Sequence, residues 1–186
     1  MWLPGSQADE EFLLVSIGGG GINTKVRRMA MLSIMLSIMY VVSTLEHMLP
    51  PFPLMPPHTR IGLANVVVMY AVFFIGIKEA FALNILKAAL ITLSRGPTAG
   101  ILSLAGGMLS VCVIAILVKT LRNRVSVVMI SVTGSMAHNI GQLTVFSFFV
   151  GITAALYYLP FLMIASIFLG VITGIVLNVI LPVLKR

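Results

Sequence analysis

The sequence predicts an all-α, polytopic membrane protein with about six transmembrane helices. Of its 186 residues, 59% are hydrophobic and only 9% are charged, and the mean hydropathy is +1.11. These values lie far outside the usual makeup of soluble globular domains. Apolar stretches approaching the roughly 20 residues that cross a bilayer recur along the chain. Composition and segment length together exclude a water-soluble enzyme.

Six apolar segments follow one another, and each is interpreted as one membrane helix. They cover about residues 29–45, 61–75, 80–93, 98–118, 125–150 and 157–184. The Pro-rich stretch 50–57 separates the first two segments and cannot form a regular helix. A short polar turn at 76–79 and a basic link at 119–124 separate later segments.

The domain organisation follows from the spacing of these segments. No polar insertion is long enough to fold separately, so one transmembrane domain is predicted over residues 25–186. Residues 1–24 carry acids ahead of a short apolar stretch, which is the opposite of the charge order in a signal peptide. We expect residues 1–24 to be a flexible lead-in.

The basic residues indicate the orientation of the chain in the cell membrane. The termini of a six-span chain share one side, and Lys and Arg accumulate on the cytoplasmic side. The side opposite the termini has only Arg60 and Arg95, and the outer loop after segment one is expected to contain Glu46, His47 and His58. Both termini are therefore predicted to be cytoplasmic. The residues on their side are Lys25, Arg27, Arg28, Lys78, Lys119, Arg122, Arg124, Lys185 and Arg186.

A lysine in segment three is the strongest pointer to a binding site. Polar groups are expensive inside a bilayer and often mark function there. Asn84 and Lys87 are three residues apart, so they share one helix face, and Lys87 lies too deep to reach the membrane surface easily. Its cation calls for an anionic partner, either a substrate carboxylate or phosphate, or Glu46 or Glu79 near a helix end.

Segment five supplies a second polar face. His138 and Gln142 are four residues apart, and Asn139 is adjacent to the first of them. Such residues either bind substrate or join helices by hydrogen bonds. Asn65, near the start of segment two, is expected to face the outer mouth of the protein. The predicted substrate-binding residues are Lys87, Asn84, His138, Asn139, Gln142 and Asn65.

No cofactor and no metal ion is predicted from the residue types. His138 has no second ligand at the usual helical spacing, and Cys112 is the single cysteine. The basic residues are scattered at segment ends and form no stripe, which argues against a nucleic-acid partner.

Small residues at helical spacing form another set. Gly106 and Gly107 lie in segment four, and Gly170 and Gly174 lie in segment six. These spacings allow helices to approach closely, either within the bundle or against another membrane subunit. The first segment has a similar set in Ala30, Ser33 and Ser37.

Four short runs together resemble a known family. They are IGLAN at residues 61–65, GIKEA at 76–80, LAGG at 104–107 and AHNIGQ at 137–142. The chain resembles the Gx transporter family, also labelled heptaprenyl diphosphate synthase component I, over roughly residues 27–181. That family is similar to the substrate-binding S components of energy-coupling factor (ECF) vitamin transporters.

The resemblance implies a fold, a location for the substrate and a set of partners. It implies a six-helix S-component bundle that holds substrate in its outward half. It also implies a transmembrane coupling subunit and two cytoplasmic ATPases, with Ala30, Ser33 and Ser37 docking the first helix onto the coupling subunit. The expected cargo is a small anionic molecule of the vitamin or quinone-precursor type.

The synthase label in the family name leaves an alternative open. Prenyl-diphosphate synthases hold magnesium through paired Asp-rich clusters, because hard cations need several oxygen ligands. This chain has only five acidic residues and no such pair in its membrane region, so no enzyme activity is predicted. A non-catalytic accessory subunit of that synthase is the second hypothesis. An ion-coupled transporter is the third, since the chain has no ATP-binding motif.

Overall fold

The computed structural model describes residues 24–48, 64–121 and 125–183, and these residues form six helices. The prediction of an all-helical membrane bundle is confirmed for this part of the chain, and each predicted segment corresponds to one helix. The predicted lead-in lies outside the described residues except for Thr24. The helices are α1 Thr24–Met48, α2 Asn65–Phe74, α3 Ile77–Arg95, α4 Pro97–Thr120, α5 Val127–Val150 and α6 Ile152–Val183.

Three of the helices are long and apolar enough to cross a membrane. They are α1, α4 and α6, with candidate spans at Lys25–Glu46, Pro97–Thr120 and Ile152–Val179. Helix α6 begins at Ile152, several residues before its predicted start at 157, so the helix is longer at its first end by more than one turn. Tyr157 and Tyr158 consequently lie inside this helix and contact each other edge to face.

Single glycines connect α3 to α4 and α5 to α6. Gly96 and Gly151 have φ angles of 91° and 90°, a left-handed conformation that glycine adopts without a steric penalty. Each turn reverses the chain within one residue and produces an antiparallel helix pair. We call the end of the bundle that contains these two turns the hairpin end. The start of α1 and the end of α6 lie at the opposite, terminal end.

Helix α2 is too short to cross the bilayer. Its ten residues extend about 15 Å, half the thickness of the hydrocarbon core. Its first residue, Asn65, donates a hydrogen bond to Ser110 of α4 over 3.1 Å. Ser110 lies about 20 Å along α4 from its start at the hairpin end. Helix α2 therefore begins at mid-depth and runs to the terminal end, and Asn65 lies deeper than the outer mouth where we expected it.

Helices α4, α5 and α6 pack with their backbones almost in contact. A Cβ atom added to Gly141 of α5 would lie 2.7 Å from the Ala105 carbonyl oxygen of α4. One added to Gly170 of α6 would lie 2.4 Å from the Val132 Cα of α5. Real Cβ atoms do not approach so closely, so only glycine fits these crossings without displacement. We call Gly106, Gly141, Gly170 and Gly174 the glycine seam.

Helix α1 is attached differently, along one apolar edge and by a polar contact near each end. Met39 is fully buried and packs in the core with residues of α2 and α3. At the terminal end, Arg28 pairs with Glu79 of α3. At the hairpin end, the Arg95 side chain of α3 donates a hydrogen bond of 2.6 Å to the Ser43 carbonyl oxygen. The outward face of α1 remains exposed and apolar, and includes Ile34, Ile38, Val41 and Leu45.

Candidate functional site

A pocket lies in the hairpin half of the bundle, enclosed by α1, α3, α4, α5 and the residue that precedes α2. Its lining combines charged, hydroxyl, amide and imidazole groups with small apolar side chains. The enclosed volume is about 20 Å³, which is room for one or two water molecules. A larger ligand therefore requires the walls to separate. The lining residues are Ser43, Glu46, Ala64, Lys87, Ile91, Arg95, Ala99, Ser103, His138 and Gln142.

One wall of the pocket is a continuous stripe on the α3–α4 hairpin. Its members recur every fourth residue, so the three on α3 share one face of that helix, and the two on α4 share one face of the next helix after the turn at Gly96. The small side chains at the start of α4 leave room beside the cations of α3. The stripe consists of Lys87, Ile91, Arg95, Ala99 and Ser103.

Lys87 is the most deeply placed cation of the pocket. It lies about 12 Å along α3 from Arg95, and its side chain is only 4% exposed. Glu46 and Arg95 are close enough to act on its charge. Over the described ranges, Lys87 makes no hydrogen bond and no ion pair within 4.0 Å. A buried cation without a close counter-ion is costly, so this position favours a negatively charged ligand.

Glu46 lines the pocket near Lys87, for which it was one of the two candidate acidic partners. We expected it in the loop after the first segment, and this expectation was wrong, because α1 continues to Met48. The Glu46 side chain is 7% exposed and lies within electrostatic range of both Lys87 and Arg95. The pocket therefore contains both signs of charge.

Arg95 forms the rim of the pocket and joins α3 to α1. Besides its bond to the Ser43 carbonyl oxygen, its guanidinium donates to the Ser43 hydroxyl at 3.3 Å and to the Thr44 hydroxyl at 3.4 Å. The expectation that Arg95 ends the third segment is consistent with its position as the last residue of α3. The sequence could not reveal that its side chain reaches across to another helix.

His138 and Gln142 form a neutral hydrogen-bonded pair on the α5 wall. The Gln142 amide nitrogen lies 3.0 Å from His138 Nε2. Because an amide nitrogen can only donate, this arrangement makes Nε2 the acceptor and leaves the imidazole proton on Nδ1. Nδ1 is buried near the Gly106 backbone, without a hydrogen bond of good geometry. These two residues are the part of the predicted polar face that lines the pocket.

Asn65 and Asn139 bind neighbouring helices. Asn65 is paired with Ser110, whose hydroxyl also donates to the Gly134 carbonyl oxygen over 2.9 Å. Asn139 donates to the Ser166 hydroxyl of α6 over 2.7 Å. Neither asparagine is among the pocket-lining residues, and these contacts give both of them a role in joining helices. Their contribution to substrate binding stays a prediction.

Asn84 lies on the terminal-end side of the pocket, against α4. Its amide fills the space left by Gly107, where an added Cβ would lie 1.8 Å from Asn84 Oδ1. Its nitrogen makes a long contact of 3.5 Å with the Leu104 carbonyl oxygen, and its buried oxygen has no hydrogen-bond partner. Gly107 therefore allows two helices to pack closely inside the bundle. This is one of the two interpretations that the sequence analysis gave for the small residues.

The small residues of α1 lie on an exposed face. Ala30, Ser33 and Ser37 are all exposed. The hydroxyls of Ser33 and Ser37 donate to the carbonyl oxygens four residues earlier in their own helix, each over 2.9 Å. Both hydroxyls are therefore satisfied within α1, and the same face also exposes the larger side chains of Ile34 and Ile38. Docking by this face stays a prediction.

The residues present do not suggest a metal centre. Within residues 24–48, 64–121 and 125–183, no three His, Cys, Asp or Glu side chains lie close enough to hold a metal ion. The pocket instead combines two cations and neutral hydrogen-bonding groups with the single carboxylate of Glu46 among its described lining residues, and its cations and N–H donors suit an anion.

Comparison with solved structures defines the class of fold. The chain is similar to the protein described as the S component of a bacterial ECF transporter, with a TM-score of 0.67 and 20% sequence identity. The match covers 87% of this chain and 99% of that one. The fold is therefore that of an S component, a helical membrane bundle.

Comparison with family models gives the particular family. Residues 28–180 match the model described as heptaprenyl diphosphate synthase component I, and the chain belongs to this family. The resemblance stated from the sequence is thereby confirmed. No protein with a curated description matches the chain.

Proposed function

We propose that this protein is the substrate-binding membrane subunit, or S component, of an ECF-type importer for a small anionic molecule. The observation that carries the proposal is Lys87, a buried cation in a pocket in the hairpin half of an S-component bundle. A few directed polar groups in an otherwise apolar membrane protein are typical of small-molecule sites. The cargo is of the vitamin or quinone-precursor type.

The proposed partners supply the energy for transport. A transmembrane coupling subunit would dock on the exposed face around Ala30, Ser33 and Ser37, and two cytoplasmic ATPases would hydrolyse ATP. The terminal end would face the cytoplasm, where Lys25, Arg27 and the other basic residues of that end are favoured. The pocket would then open towards the outside of the cell membrane and collect substrate there.

Co-purification from native membranes tests this proposal. The gently solubilised protein is examined by native mass spectrometry for bound subunits and bound small molecules. We expect a coupling subunit, ATPases and a small acidic ligand. The variant Lys87→Gln should lose the ligand and retain the subunits. Lys78→Gln, a change of the same residue type at an exposed position of the same helix, should retain both.

A second function is favoured by the name of the family. A component I subunit could present a lipid to a soluble prenyl-diphosphate synthase without catalysing the reaction. Glu46 and Glu79, the two acidic residues in the described ranges, lie near opposite ends of the bundle and could not share a magnesium ion. A soluble prenyltransferase that co-purifies with bound isoprenoid would support this function and contradict the importer. Ligand uptake by proteoliposomes without ATP would instead favour an ion-coupled transporter.

A further inference from the structure

The guanidinium of Arg95 has two positions in the molecule at once, since it lines the pocket and joins α3 to the end of α1. Its Nη2 donates to the Ser43 carbonyl oxygen at 2.6 Å and to the Thr44 hydroxyl at 3.4 Å. Its Nη1 donates to the Ser43 hydroxyl at 3.3 Å. Each of these three acceptors is neutral. Glu46 lies within electrostatic range of Arg95 but is not one of these acceptors.

The shape of the guanidinium restricts how it can bind an acid. Its N–H groups form a fixed planar fork, and two parallel N–H bonds of that fork hold a carboxylate. The two parallel donors are either Nη1 and Nη2 or Nε and Nη2, so Nη2 takes part in both approaches. In this structure Nη2 donates to Ser43 and to Thr44, which uses its two N–H groups. A carboxylate that binds Arg95 at two points must therefore replace a contact with α1.

The charge of an acidic ligand favours this replacement. A carboxylate attracts the guanidinium by its charge, which a carbonyl or hydroxyl acceptor does not have, and this attraction is stronger away from water. Lys87 lines the same small cavity about two turns deeper on α3. An acid group in the cavity is therefore attracted by both cationic side chains, whereas the end of α1 offers Arg95 only neutral acceptors in its hydrogen bonds.

The end of α1 is also the described wall of the pocket that can yield most easily. The cavity has room for one or two water molecules, so a larger ligand must displace a wall. Helices α4 and α5 are so close that a Cβ added to Gly141 would lie 2.7 Å from the Ala105 carbonyl oxygen. Helix α3 is joined to α4 by the single residue Gly96. By contrast, the hydrogen bonds of Arg95 hold the end of α1.

We propose that Arg95 is a ligand-binding residue that exchanges its contacts with α1 for the acid group of the ligand, and that a carboxylate in the pocket thereby releases the end of α1 from α3. The proposal rests on the proposed function in taking this pocket as the ligand site. It adds a physical link between the pocket and the helix that carries the proposed docking face.

Two probes of similar shape and different charge test the release. Butanoate is an anion at pH 7, and butanamide is its neutral counterpart. The full-length protein is placed in nanodiscs of zwitterionic lipid, and hydrogen exchange at the end of α1, residues 43–48, is followed by mass spectrometry. We expect saturating butanoate to accelerate exchange there by about tenfold, the effect of losing the Arg95 contacts. Butanamide should leave the rate unchanged, and α5 should respond to neither probe.

Variants separate ligand binding by Arg95 from a purely structural role. In Arg95→Gln, exchange at the end of α1 should be fast without a probe, and butanoate should add nothing. Thr44→Val keeps the shape of its side chain and removes an acceptor with which the ligand competes, so calorimetry should show butanoate binding about threefold more tightly. A role of Arg95 in packing alone predicts no such gain. Lys78→Gln, at the exposed start of α3, should respond as the unmodified protein does.

Four outcomes would overturn the inference. They are slower exchange at the end of α1 with butanoate, equal responses to both probes, unchanged or weaker butanoate binding in Thr44→Val, and no response up to about 10 mM butanoate, the range expected for so small a ligand. Faster exchange in nanodiscs of anionic phospholipid without a probe would overturn the assignment to a soluble acid in favour of a lipid headgroup. A protein that co-purifies with a coupling subunit and ATPases but shows no release would contradict this inference and leave the importer proposal intact.

Discussion

The glycine seam and helix α1 are held in the bundle by opposite means. Along the seam, α4, α5 and α6 approach until their backbones are almost in contact. Helix α1 packs one edge on α2 and α3, exposes its other face, and is fixed by Arg28–Glu79 at one end and Arg95–Ser43 at the other. The first arrangement tolerates no displacement. The second can change when a few polar contacts break.

The pocket lies on the boundary between these two regions. Lys87, Ser103 and His138 belong to helices next to or within the seam, whereas Ser43 and Glu46 belong to α1. A ligand therefore contacts a rigid wall and a separately attached helix at the same time. Since α1 also carries the proposed docking face, ligand binding and partner docking would act on the same element.

The largest effect is expected from a change in the glycine seam. In Gly170→Val, the new side chain would overlap the backbone of Val132, because a Cβ alone would lie 2.4 Å from its Cα. We expect the protein to lose about 3 kcal/mol of stability, the upper part of the range for overpacking. Thermal unfolding in detergent measures the loss. The control Ala154→Val lies on the exposed face of α6 and should unfold near the original temperature. Equal stability of the two variants would contradict backbone contact at the seam.

A smaller effect is expected where α1 meets the pocket. Arg95→Gln removes the charged donor that binds the Ser43 carbonyl oxygen and the Thr44 hydroxyl. Hydrogen bonds from charged groups contribute about 1.5 kcal/mol or more, so stability should fall by about that amount. Hydrogen exchange should become faster at the last turn of α1 and remain unchanged in α5. Faster exchange throughout the bundle would show that α1 is not independently attached.

The smallest effect is expected at the terminal end of α1. Arg28 pairs with Glu79, and the Arg28 side chain is 46% exposed, so water and salt screen the pair. A double-mutant cycle with Arg28→Gln and Glu79→Gln should give a coupling free energy below about 1 kcal/mol that declines with added salt. A salt-independent coupling above that value would make the two ends of α1 equally strong attachments.

The positions of the helices could be predicted because the membrane constrains them strongly. Apolar runs bounded by Pro, Gly and basic residues place each of the six helices in the described part of the chain, with differences of a few residues at their ends. Helix α1 illustrates the limit. Its apolar run ends at Leu45, yet the helix continues through Glu46 to Met48, since a polar residue at the end of a run need not end the helix.

The pocket could be predicted only in part. Lys87, His138 and Gln142 were singled out because each places a polar group at mid-segment, and the structure brings the three into one pocket. Asn65 and Asn139 produce the same signal, yet they do not line the pocket, and their amide nitrogens donate to hydroxyls of other helices. Helical spacing gives the direction of a side chain on its own helix, but the neighbour that it meets depends on packing between helices.

The one-residue turn at Gly96 has a consequence for the assembly of the site. It joins α3 to α4 so closely that the stripe from Lys87 to Ser103 consists of residues near one another in the sequence. Contacts of this local kind form early and lose little chain entropy. This wall can therefore be complete once the hairpin has inserted into the bilayer, whereas Glu46 and His138 must reach it from distant parts of the chain.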